Sequence, residues 1–108
     1  MPDTDAILKS IEEQSKALAE QLIGQFTKQA LADTKDFLAK SRGDIERWTG
    51  ELARGEIDED DLASLVRAEK DVAEMRALKQ AGLAQVTLDT FTKGVLDIAI
   101  SAIMAAVP

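Results

Sequence analysis

The sequence predicts an all-α fold, an antiparallel helical hairpin of two long helices, and three observations lead there. Prolines stand only at positions 2 and 108, so no interior residue lacks the amide hydrogen that a helix uses. The interior is rich in Ala, Leu, Lys, Glu and Gln, which lose little on entering a helix. A single stop-and-start signal, running from Leu52 to Leu62, splits the 108 residues into two nearly equal arms. No stretch alternates apolar and polar residues for long enough to argue a strand. Residues 1–108 read as one domain.

The first arm spans 4–54. Ile7, Ile11, Leu18, Leu22, Phe26, Phe37, Trp48 and Leu52 form an apolar stripe that drifts around the helix. At 1.5 Å per residue such an arm, unbroken, is about 75 Å long. Its weakest point is Ser41-Arg42-Gly43-Asp44, where Gly43 suits a helix end and Asp44 a helix start, so a kink is expected near Gly43 if anywhere.

The turn, 54–58, follows from residue chemistry. Gly55 suits the left-handed position that closes a helix, with Ile57 reaching back to Leu52 as the residue after the cap. Asp58 reads as the next N-cap, Asp61 as its capping-box partner three residues on, and Ile57 with Leu62 as the hydrophobic staple.

The second arm, 58–107, carries Leu62, Val66, Ala73, Ala77, Ala84, Leu88, Val95 and Ala99 at spacings of four and seven. That eleven-residue repeat predicts nearly straight coiled-coil packing. Folded about Gly55, residues whose numbers sum to about 113 face each other. Leu22 then meets Phe91, Leu18 meets Val95, Trp48 meets Leu65, and Phe37 lies opposite Arg76, whose head is placed to reach Asp33 or Asp36. In this register Gly24 and Gly82 face different partners. They mark no common fold-back, so long arms are preferred to a four- or five-helix bundle broken at Gly24, Gly43 or Gly82.

Thirteen Lys and Arg against twenty Asp and Glu leave a net charge of −7, which disfavours nucleic acid as a partner. The chain has neither His nor Cys. Disulfides, thiolate nucleophiles and Ser-His-Asp triads are therefore excluded, as are the Glu-x-x-His ligands of di-iron bundles. No catalytic, cofactor-binding or metal-ligating residues are expected, and no small-molecule substrate. The carboxylates at Glu56, Asp58, Glu59, Asp60 and Asp61 do not make a calcium loop. With Gly55 at loop position six, the ligand positions fall on Gly50, Leu52 and Arg54. They serve instead as favourable charge at a helix start.

The N-terminus is acidic and no apolar signal region follows it. The most apolar run, Gly94 to Val107, is fourteen residues and is interrupted by Asp97, too short to span a membrane. A cytoplasmic location is expected. That run is nevertheless apolar on every side, which one neighbouring arm cannot cover. Leu18, Leu22, Ile23, Phe91, Val95, Ile98, Ile100 and Ile103 are accordingly expected to form an oligomer interface at the open end of the hairpin. The leading expectation is a non-enzymatic assembly protein, a homo-oligomer of two or more chains. A lipid-surface or hydrophobic-particle binder using the C-terminal helix is the alternative, less favoured because Lys93 is the sole cation on that helix.

Trp48-Thr49-Gly50, near the middle of an acidic helical chain of this length, resembles the Trp-x-Gly of WXG100 proteins, which are exported helical hairpins. The likeness covers three residues. It departs in that Trp48 and Gly50 precede the turn and no Tyr exists to form the family's C-terminal export signal.

Overall fold

The computed structural model describes residues 3–107, and among them every regular element is helical. Helix α1 (Thr4–Ile23) and helix α2 (Thr27–Ala53) are joined by a 3₁₀ segment, Gly24–Phe26. After the central turn come α3 (Glu59–Arg67), a second 3₁₀ segment (Ala68–Asp71), the five-residue α4 (Arg76–Gln80) and α5 (Gln85–Ala106). The molecule measures 42 × 22 × 21 Å, too short for an unbroken arm of about 75 Å.

The central turn is the one the sequence predicts. Gly55 has φ +73°; its amide donates to the Leu52 carbonyl at 3.1 Å, and the Glu56 amide donates to that of Glu51 at 2.9 Å. These two bonds define a Schellman ending, in which Glu56, not Ile57, follows the left-handed residue. Ile57 and Leu52 are half-buried against the core, and Leu62 is buried. Asp58 accepts from the Asp61 amide at 2.8 Å, and Asp61 accepts from the Asp58 amide at 3.1 Å, so the expected capping box is complete.

The expectation of two long arms is corrected, because each arm folds back on itself. In the first, Arg42 pairs with Asp5 at 2.6 Å and Lys35 with Glu12 at 3.6 Å; in both pairs the numbers sum to 47, which centres the reversal on Ile23 and Gly24. Ile23 leaves the helical region at φ −141°, ψ 43°, and the Thr27 hydroxyl donates to the Gly24 carbonyl at 2.8 Å. Gly43, by contrast, lies inside a continuous α2. With nothing within 4 Å of where its Cβ would be, it is a solvent-facing helical residue and needs no kink.

The second arm reverses at Gly82, whose φ is +89°. The Gly82 amide donates to Lys79 at 3.1 Å and the Leu83 amide to Leu78 at 3.2 Å, a second Schellman ending with Leu83 folded against the core. Arg67 lies 3.6 Å from Asp97 across this reversal. The register about Gly55 holds even so. The Cβ position of Gly94 falls 2.5 Å from Leu18 Cδ2, and Asp33 binds the amides of Ala77 and Leu78, so the pairing sums stay between 110 and 112. A hairpin is thus folded in half into a compact helical bundle, close to the set-aside alternative.

The eleven-residue stripe is interrupted for the same reason. Leu62, Val66, Ala73, Leu88, Val95 and Ala99 are buried, but Ala77 is half-buried and Ala84 is exposed at the cap of α5. No continuous coil forms. Leu65, expected opposite Trp48, is exposed, whereas Trp48 is buried.

Between Ala73 and Met75 the chain leaves the helix, and Met75 takes left-handed angles, φ 51° and ψ 48°, with its side chain buried. A residue with a Cβ pays about 1–2 kcal/mol for that conformation. Asp33 offsets it. Its carboxylate, 8% exposed, accepts from the Ala77 amide and the Leu78 amide, each at 2.9 Å, and so caps α4 from α2. Arg76 does not reach Asp33 or Asp36; its Nε donates to Glu74 at 2.6 Å.

Candidate functional site

Helix α5 is the central element. It packs against α1 and α3 and also touches α2, α4 and the second 3₁₀ segment. Several neighbours therefore cover a helix that the sequence reading gave only one. Of the eight residues expected at an oligomer interface, Ile23, Phe91, Val95 and Ile103 lie in the chain's own core. Leu18, Ile98 and Ile100 are half-buried against it, and Leu18 sits in the notch that Gly94 leaves on α5. Leu22 alone of the eight is exposed, at 41%.

Leu22 stands at the end of the bundle where both arms reverse. Ile23, Gly24, Gln25 and Phe26 come from the first reversal, Leu83 and Thr87 from the second, and together with Leu22 they line a depression of about 400 Å³. The shared fold-back of Gly24 and Gly82, discounted in the sequence register, is thus real. Strict one-to-one pairing fails there because the non-helical residues 72–75 and 82–84 advance the chain by a different rise than a helix does. Val86, next to Thr87 in the first turn of α5, is 79% exposed. Nothing but the proximity of the two reversals brings Leu22, Phe26, Leu83 and Val86 to one end, which is why sequence reasoning found only Leu22.

A larger groove of about 570 Å³ runs between α5 and the segment from Arg67 to Lys79. Lys70, Lys79 and Lys93 surround it, but so do Asp71, Glu74 and Asp89, over a floor that includes Leu88 and Leu96. Arg67 lines it as well but pairs with Asp97, so charges of both signs stand around the groove.

Glu69, on the second 3₁₀ segment, meets Asp44 of α2. Burial first, and then the Asp44 carboxyl as hydrogen-bond partner and as charge, push the Glu69 carboxyl above its ordinary value, while Arg47 opposes them. The folded chain then holds the Glu69 proton more tightly than the unfolded chain. The stability it contributes is complete below the ordinary glutamate range and is lost as pH rises through the raised value. Glu69→Gln is therefore expected to raise the melting temperature slightly at neutral pH and to leave it unchanged well below the glutamate range. Thermal melts of both chains across that span check this; parallel curves would show that the pair carries no charge penalty.

Asp58 and Asp61 of the acidic turn are engaged in mutual capping, and Glu56 accepts from Arg54 at 2.8 Å, which holds its carboxyl below the usual range. Among the described residues no three acidic side chains gather as metal ligands, and no helix is long and apolar enough to cross a membrane. No family model, no curated protein and no solved structure matches this chain, so its site is read from its own residues.

Proposed function

We propose that the chain is a non-enzymatic assembly protein of the cytoplasm that self-associates, and that it does so through the end where both arms reverse. The observation that supports this is the clustering of exposed apolar side chains there. Leu22, 41% exposed, lines a depression together with half-buried Phe26 and Leu83, and Val86, 79% exposed, is the chain neighbour of Thr87 in that lining. Isolated apolar residues on a surface need no explanation, but a contiguous group around a concavity marks a contact site. A second copy supplies a matching apolar surface, and a dimer with two-fold symmetry is the smallest closed assembly.

Light scattering over a concentration series tests the proposal. The mass is expected to rise to that of a dimer with concentration. The double variant Leu22→Glu, Val86→Glu is expected to stay monomeric with its melting temperature preserved, since neither side chain is in the core. A native chain that remains monomeric throughout, but floats with liposomes, would replace this reading by lipid-surface binding.

A further inference from the structure

We propose that the partner is a second copy of this chain which exchanges α1, so that each α1 fills the seat on the other copy's α2 and α5. This rests on the self-association reading and specifies its geometry. The hinge is the first observation. From Thr4 to Ala53 the backbone is helical except at the join, where Gly24 and Thr27 already have right-handed helical angles. Ile23 (φ −141°, ψ 43°) and Phe26 (φ −106°, ψ 13°) depart from them. Returning those two residues to the helical region makes α1 and α2 one helix.

The helix ends at the hinge are the second observation. α2 begins with no side-chain cap and α1 ends with no basic residue in its last turn. At the folded-back join the Thr27 amide and hydroxyl both donate to the Gly24 carbonyl; in a continuous helix the remaining amides and carbonyls of the two ends bond to one another as well. No proline in the hinge prevents this.

Register is the third. Within one chain, α1 and α2 lie antiparallel with contacts whose residue numbers sum to 47. Two straightened chains laid antiparallel about Ile23 and Gly24 reproduce that register between copies: Asp5 meets the other copy's Arg42, and Glu12 meets its Lys35. Leu18 enters the other copy's Gly94 notch, the same seat that it fills within one chain. The exchange reuses every α1 contact, as domain swapping does. Gly24, with nothing within 4 Å of its Cβ position, lies at the crossing and lets the two helices approach, and Leu22 and Phe26 gather about the same axis. Ser15, buried on the inner stripe of α1 with no hydrogen-bond partner for its hydroxyl, makes release from the seat easier, because water satisfies it.

The test uses the full chain, which has no native Cys, with Asp5→Cys and Arg42→Cys introduced together. Monomer and dimer fractions, separated by gel filtration, are treated with a short bismaleimide and run on a denaturing gel. The dimer fraction is expected to give cross-links between chains, and the monomer fraction cross-links within one chain. A dimer cross-linked only within chains overturns the exchange and leaves self-association standing. A chain that stays monomeric at every concentration overturns both.

Discussion

Replacing Asp33 by Ala is expected to cost about 3–5 kcal/mol, a large part of the 5–15 kcal/mol that holds a domain of this size together. The carboxylate makes two charge-assisted bonds of 2.9 Å, to the Ala77 and Leu78 amides. Bonds of that kind contribute about 1.5–3 kcal/mol each. Their loss leaves buried amides without partners at the start of a helix too short to persist unaided. It also removes what offsets the left-handed backbone at Met75. Urea denaturation measures the loss, and amide exchange at Ala77 and Leu78 locates it. Asp33→Asn keeps one accepting oxygen and should recover part of the stability. A loss below about 1 kcal/mol in Asp33→Ala would show that water caps α4 equally well.

Phe91→Ala is expected to destabilise by about 3–5 kcal/mol, the range for removing a buried aromatic side chain. Phe91 is fully buried within one chain, at 0% exposure. Its loss should therefore be the same at every protein concentration. A residue buried only by a partner would behave otherwise, because stability gained through association depends on concentration by mass action. Denaturation at two concentrations a hundredfold apart separates the cases. A loss that grows with concentration would return Phe91 to the interface where the sequence placed it.

The contrast between these residues shows which parts of the fold were legible. The central turn was readable because its determinants are local: Gly55 closes one helix, and Asp58 with Asp61 opens the next, all within ten residues of each other. The reversals at Gly24 and Gly82 were half-readable. Both glycines are visible, but Gly43 is equally so and lies inside a continuous helix, since a lone glycine costs only about 1 kcal/mol there. What separates them is tertiary: whether folding back buries the stripes of both halves. The break before α4 was not readable at all. Ala73-Glu74-Met75 contains good helix formers, and the group that holds the break, Asp33, lies 44 residues before the Ala77 amide that it binds. The all-round apolarity of α5 correctly predicted that it is surrounded, but sequence alone does not say that the surrounding helices belong to the same chain.

The bond from Asp33 to α4 also acts as a measure of chain length. Everything between residue 33 and residue 77 must arrive with the right number of turns for the carboxylate to find the two amides. One residue added to α2 beyond Asp33 rotates the rest of that helix by about 100°, and would carry the carboxylate off its target. Added length within the 82–84 connection falls outside this span and leaves the lock intact. Insertions and deletions are therefore tolerated unequally along this chain: the stretch from Asp33 to Leu78 has a set length, and the link that follows it does not.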